Sequence, residues 1–384
     1  MMKNKLLFPL SLIALSLSPV AEANSVRING FANFTAGISS EESEALGYSD
    51  KADFSEQSLF AVQLSGQIND KMSATAQIVS KGNNGYSADF EWAYIKYDID
   101  SEQSILAGRF RLPIFRYSSS LDVGYSYHWI SAPSTVYDVP FNNLDGVRYD
   151  YSSFVGDWEL MFQASLGNFK EEVSGGSSDG SNVITASFEA TYESFKMRFV
   201  YGQGDNNFHL PQLDASLDQF AALSPELAEE LRMNDDRGVF LGAGFEYDNF
   251  DWFVSGEITS IDIEDSFSPE DKAWYITAGI RSGKWTPHFT YETRDGNADI
   301  KFLESVAAFP AEYQPVVAGT LTAIQMPFME EYSVTTVGAR YDFDSNIAIK
   351  AEISRYDNEL DAGVGIRGAS EDSTIVRASV NYVF

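Results

Sequence analysis

Residues 60–68 read Phe60-Ala61-Val62-Gln63-Leu64-Ser65-Gly66-Gln67-Ile68, which places Phe60, Val62, Leu64 and Ile68 on one face of an extended chain and Gln63, Ser65 and Gln67 on the other. Successive side chains of a strand point to opposite sides, so this stretch separates an apolar surface from a polar one. Residues 347–354, Ile347-Ala348-Ile349-Lys350-Ala351-Glu352-Ile353-Ser354, separate in the same way, with both charges on one face. Segments of this kind, about ten residues each, recur from residue 25 to the end with turn-forming residues between them. A soluble sandwich or barrel also alternates, but its strands are usually shorter and its polar face meets bulk water.

The connections discriminate. Short ones centre on Asn69-Asp70-Lys71, Asp100-Ser101-Glu102, Gly156-Asp157, Ser194-Phe195, Asn249-Phe250-Asp251, Ser282-Gly283-Lys284 and Asp344-Ser345-Asn346. Long ones cover residues 38–57, 82–88, 116–142, 169–182, 203–236, 262–272, 295–331 and 357–372. Seven short and eight long connections in strict alternation join sixteen strands in up-and-down order. The expected fold is all-β, a transmembrane antiparallel β-barrel of 16 strands with short periplasmic turns and long extracellular loops. Trp158, Trp252 and Trp285 each adjoin a short turn, where an amphipathic ring would lie at the membrane interface.

Composition narrows the function. The 384 residues include 56 Asp or Glu against 26 Lys or Arg, a formal net charge of −30, and no basic block appears, so no nucleic-acid partner is expected. The absence of cysteine excludes disulfides, thiolate nucleophiles and cysteine-based metal sites, and three His leave little for a metal; neither a metal nor a cofactor is expected. Met1-Met2-Lys3-Asn4-Lys5, an apolar run from Leu6 to Val20 and Ala21-Glu22-Ala23 read as a secretory signal cleaved after Ala23. Residues 24–384 then form one domain, carrying 24 basic and 55 acidic residues. A membrane anchor is the alternative, but the run is short for a spanning helix. Acid concentrates in loops 38–57, 203–236 and 262–272, read either as solvated surface or as sites where divalent cations bridge to lipopolysaccharide. Within the fifth loop, Ser224-Pro225-Glu226 with Leu227 and Leu231 predicts a short helix capped by Ser224.

The last strand, Thr374 to Phe384, sets Val376, Ala378, Val380, Tyr382 and Phe384 on one face. An amphipathic last strand ending in Phe384, with Tyr382 two residues before it, resembles the signal by which Gram-negative outer-membrane proteins are read by their barrel assembly machinery. The sixteen-strand layout resembles the general diffusion porins. That resemblance implies a homotrimer of water-filled barrels in outer-membrane lipid, passing small hydrophilic solutes, with the third loop folded into the pore. Gly108-Arg109 is similar to the Gly-Arg that places a basic side chain at that family's constriction, and residues 143–154 are similar to its sixth strand. The third loop lacks the Pro-Glu-Phe-Gly-Gly stretch common in the enterobacterial members.

Parity then assigns a pore. A charge facing lipid near the midplane costs about 2–4 kcal/mol, so basic residues opposite the apolar face turn inward or to the rim. Lys96, Arg109, Arg111, Arg148, Arg340 and Arg377 are the expected basic side of the constriction, with Arg198, Arg281 and Lys350 on the same parity. Asp122, Asp138 and Asp145 are the expected acidic side, facing them across the gap. Each Arg could instead pair with a neighbouring carboxylate such as Asp150 or Glu352 as wall structure. Tyr117, Tyr125, Tyr127 and Trp129 read either as an aromatic track for sugars or as packing of the loop against the wall. The inner wall is relatively basic while the acid sits in the loops, and the expected preference is for cations. A solute-selective channel with a binding track, for sugars or organic acids, shares every one of these features. An outer-membrane hydrolase is the remote alternative: it needs Ser paired with His, and none of His128, His209 and His288 has Ser at a spacing that signals such a pair, so no catalytic residue is assigned.

Overall fold

The computed structural model describes residues 26–139, 141–173, 175–296, 300–360 and 371–384. The expected signal at 1–23 and its cleavage point lie outside the described residues. Sixteen strands form a closed barrel. They are β1 (Arg27–Ser39), β2 (Leu59–Asn69), β3 (Met72–Lys81), β4 (Ala88–Asp98), β5 (Gln103–Arg111), β6 (Asn143–Val155), β7 (Trp158–Val173) and β8 (Gly176–Tyr192), followed by β9 (Phe195–His209), β10 (Asn234–Asp248), β11 (Trp252–Ile263), β12 (Asp271–Ile280), β13 (Trp285–Gly296), β14 (Glu330–Asp344), β15 (Ile347–Asn358) and β16 (Ser373–Val383). Every strand pairs antiparallel with its sequence neighbours, and β1 pairs with β16, so no edge is left open.

The alternation sorts as expected. Phe60, Leu64 and Ile68 of β2 and Ile349 and Ile353 of β15 are exposed on the outer face, while Lys350, Glu352 and Ser354 are buried on the inner one. At the short-turn end each of three exposed tryptophans rests on a tyrosine of the adjacent strand: Trp158 on Tyr192 at 5.0 Å, Trp252 on Tyr247 at 4.9 Å and Trp285 on Tyr341 at 4.6 Å. Ring contacts of this kind add about 0.5–1.5 kcal/mol each and anchor the wall at an interface. Closure is sealed where Phe384 and Gly30 exchange two backbone hydrogen bonds of 2.9 Å. The Phe384 ring covers Gly30, where any Cβ would collide with it, and stacks on Tyr382 and Phe60.

Two expectations about connections are corrected. The turn between β8 and β9 is Glu193-Ser194, one residue earlier than expected, with Glu193 left-handed at φ 50. Residues 169–182 are not a loop: β7 and β8 continue as a hairpin, paired from Phe169↔Gly180 to Val173↔Gly176 beyond an irregularity in register. The polar, Gly-Ser-rich stretch hides this because the hairpin extends past the apolar belt, where neither face is required to be apolar.

The long loops also carry structure. In the fifth, α1 (Pro211–Ala221) precedes α2 (Pro225–Leu231), whose cap is the expected one: the Ser224 hydroxyl accepts from the Leu227 N–H at 3.4 Å. The seventh contains a longer helix, Gln314–Gln325. Leu213, Leu217, Phe220, Leu231, Phe267 and Leu321 join these elements in an apolar cluster outside the barrel wall.

Candidate functional site

The third loop, residues 112–142, occupies the lumen. It leaves the end of β5, three residues beyond Gly108, whose φ is 129 and where a Cβ would stand 2.3 Å from the Ala93 carbonyl oxygen, so only glycine fits this bend. Ile114, Phe115, Tyr127, Trp129, Val136 and Tyr137 then pack against Phe110, Leu144, Val200, Phe240 and Tyr275 of the wall, an apolar core inside the barrel. A chain crossing a lumen must also satisfy its backbone groups. Wall charges do this.

Three carboxylates on alternate strands accept loop N–H groups. Glu257 of β11 accepts from Arg116 at 2.8 Å, Glu292 of β13 from Thr135 at 3.0 Å, and Glu352 of β15 from Ile130 at 2.7 Å. Three cations donate to loop carbonyls: Arg198 to Pro113, Lys350 to Gly124 and Trp129, and Arg340 to Tyr127 at 2.9 Å and to Tyr125. Arg377 braces Glu352 at 2.7 Å and also donates to Ser131 at 3.0 Å. Hydrogen bonds to charged groups are worth about 1.5–3 kcal/mol, so the loop is held by a series of them.

On the opposite wall the attachment is an ionic knot. Arg111 pairs with Asp122 and lies 3.6 Å from Glu91; Lys81 reaches Glu91 at 2.8 Å and Asp122 at 3.1 Å. Glu91 faces inward because of a bulge: the register steps from Gln77↔Trp92 to Ile78↔Phe90, leaving Glu91 unpaired and turned against the parity of its strand. Burial pushes the Asp122 carboxyl up, but the adjacent Arg111 and Lys81 outweigh it and hold it below the ordinary carboxylate value.

The residues expected at the constriction thus divide. Arg111 and Asp122 are brought into direct contact, with no gap between them. Arg340 and Arg377 are engaged with the third loop. Arg148 forms a bidentate pair with Asp150 at 2.8 and 3.0 Å, and Lys96 pairs with Asp98 at 2.7 Å; both belong to the wall. Arg109 pairs with Glu171 at 3.0 Å and with Asp145 at 3.4 Å. Asp138 lines the open space described next. Of the four aromatics, Tyr117, Tyr127 and Trp129 pack on one another with centroids 5.4–5.9 Å apart, and Tyr125 donates to the Ser345 carbonyl at 2.8 Å. They pack the loop against the wall and form no continuous track.

The open space is a cavity of about 820 Å³ above the loop, between it, the first loop and the β13–β16 wall. Six carboxylates line it, Glu44, Glu56, Asp122, Asp138, Glu292 and Glu352, against two cations, Lys81 and Arg377. Sequence reasoning missed Glu257, Glu292, Lys81 and Glu91. Glu257 and Glu292 share the inward parity of Glu352 on alternate strands, which was the available signal; the bulge hid Glu91.

The family model for Gram-negative porins matches residues 10–361. No curated protein matches the sequence. Among solved structures, the outer membrane channel DcaP of Acinetobacter baumannii is similar with a TM-score of 0.59 at 12% identity, over 94% of this chain and 97% of that one. An anion-selective porin from Comamonas acidovorans gives 0.59 at 13% identity, over 94% and 99%. OmpT of Vibrio cholerae, in its trimer form, gives 0.55 at 11% identity, over 94% and 100%. At such identities the likeness is one of fold.

Proposed function

Because this chain belongs to the Gram-negative porin family and is a passive diffusion channel of the bacterial outer membrane, we propose the finer reading that it passes small hydrophilic solutes and ions with a preference for cations. The observation that carries the preference is the cavity above the third loop, where carboxylates outnumber cations six to two. A low-dielectric mouth lined by one sign of charge concentrates ions of the other sign. No catalysis is part of this reading: His128 of the loop and His288 of β13 are buried against each other, and His128 contacts Thr277 at 3.0 Å.

In the same reading the chain works as a homotrimer. The outer wall over β2–β5 supports this, being lined by Gly66, Ala74, Ala76, Ala93 and Ala107, small residues that let a second wall approach closely. The export signal at 1–23 is removed, residues 24–384 form the barrel, and the exposed Tyr382 and Phe384 present the last strand to the assembly machinery.

Single-channel recording in planar bilayers under a salt gradient tests the preference. The zero-current potential is expected to take the cation-permeable sign, and Asp138→Asn to move it toward zero. A potential of the anion-permeable sign overturns the preference. Small steps blocked by one solute class would favour the selective-channel alternative.

A further inference from the structure

The six carboxylates that line the cavity above the third loop are not equivalent. Glu44 and Asp138 are exposed and Glu56 is half-buried, so water and salt screen them, whereas Asp122, Glu292 and Glu352 are each nine-tenths buried or more. Two of those three are neutralised within the chain, Asp122 by Arg111 and Lys81 and Glu352 by Arg377. Glu292 has no ion pair among the described residues; its hydrogen bonds come from the N–H and the hydroxyl of Thr135, both to one carboxylate oxygen at 3.0 Å. The cations around it are engaged elsewhere. Arg294, two residues along the inner face of β13, is held by Asp271 and Glu330 at 3.1 Å each. Of the cavity's two cations, Lys81 is held by Glu91 and Asp122, and Arg377 by Glu352.

A buried carboxylate that the chain leaves without a cation draws one from solution. The low-dielectric wall strengthens the attraction, and added salt weakens it less than it weakens that of an exposed charge. A carboxylate also has acceptor capacity beyond the two bonds from Thr135, which fix it in place at the cavity wall. We propose that Glu292 sets the cation preference of this channel, each permeating cation serving in passing as its counter-ion. This rests on the preference proposed above and names the residue behind it. That residue stands on the barrel wall, on β13, and not on the third loop, where two of the three carboxylates expected from the sequence lie.

The test is the zero-current potential of the full mature chain refolded into planar bilayers, at about pH 8, well above the ordinary carboxylate range. Potassium chloride gradients are set around about 0.1 M and about 1 M, between which the screening length falls from about 10 Å to about 3 Å. Glu292→Gln keeps an acceptor for Thr135 and removes the charge. It is expected to lower the potassium-to-chloride permeability ratio about fivefold, the effect of one unit charge about 4 Å from an ion in water-like surroundings. The fall persists in the high-salt gradient, whereas that in Asp138→Asn is confined to the low-salt one. Thr135→Val removes the hydroxyl contact and no charge, and leaves the ratio unchanged. An unchanged ratio in Glu292→Gln overturns the proposal while the cation preference stands. So does a Glu292→Gln effect that disappears at high salt, or an equal fall in Thr135→Val, which would trace it to the position of the loop. A wild type of the anion-permeable sign removes the preference itself and the proposal with it.

Discussion

The third loop is attached to two walls by two different uses of charge. On β3–β5, Lys81, Glu91, Arg111 and Asp122 satisfy one another, a knot of two cations and two carboxylates. On β11–β15, Glu257, Glu292, Lys350 and Glu352 each hold a backbone group of the loop, Glu257 also accepting from Tyr137 and Tyr275 and Glu352 pairing with Arg377. The first arrangement is neutral only as a set, so losing one member strands the others. The second is a series of contacts that can be lost one at a time. The knot therefore acts as a single catch near the bend at Gly108, and the opposite wall as a graded clamp.

The largest expected effect separates the two. Arg111→Met leaves Asp122 and Glu91, both buried, sharing Lys81 alone, and removing one partner from a buried ionic cluster costs about 3–5 kcal/mol. Because Asp122 is the member of the knot that lies on the loop, the loss of its partner falls on docking of the loop. Single-channel conductance is expected to rise with added open-state noise, and the loop to become cleavable by protease while the barrel remains folded. An Arg111→Met protein with wild-type conductance and a protected loop would mean that the clamp holds the loop unaided.

A smaller effect is expected on the clamp. Lys350→Met removes a donor from the Gly124 and Trp129 carbonyls, leaving buried acceptors at about 1–3 kcal/mol each. The neighbouring bonds from Arg340 and to Glu352 persist, so noise is expected to increase without full release of the loop. Protease protection in Lys350→Met should lie between those of the wild type and Arg111→Met; a release equal to that of Arg111→Met would erase the distinction between catch and clamp.

The difference between the walls also explains what the sequence could show. Lipid imposes a rule on every outward side chain, so the alternation in Phe60–Ile68 and Ile347–Ser354, the tryptophans at the short turns and the closing strand to Phe384 were all legible. Parity correctly turned Lys350 and Glu352 inward, but it says nothing about partners. The expectation that inward cations face loop acids across a gap assumed that charge pairs with charge, whereas Lys350 and Glu352 answer backbone groups from a loop far off in sequence. Glu91 escaped because a one-residue bulge reverses parity. The β7–β8 hairpin beyond Gly167 escaped because outside the apolar belt the rule no longer applies. In the fifth loop the short helix was legible from Ser224-Pro225, while α1 shows its period only through Leu213, Leu217 and Phe220, spaced for a helix inside what otherwise reads as loop.

The smallest effect is the sharpest test, because its sign is fixed in advance. Arg111 and Lys81 hold the folded-state carboxyl of Asp122 below its ordinary value against the upward push of burial. A carboxyl depressed on folding stabilises the docked loop at pH values above its unfolded value, about 4, and that contribution is lost as pH falls through the lower folded value. The knot's own contribution to conductance noise in the wild type is therefore expected to appear only below the ordinary carboxylate range. In Arg111→Met the stronger opposing charge is gone and burial is met by Lys81 alone, so Asp122 takes up its proton at higher pH and the onset of noise moves upward. Lys350→Met leaves the onset where it was, since Lys350 belongs to the other wall and does not set the Asp122 carboxyl. An onset that moves in Lys350→Met, or stays put in Arg111→Met, would show that the two attachments titrate as one.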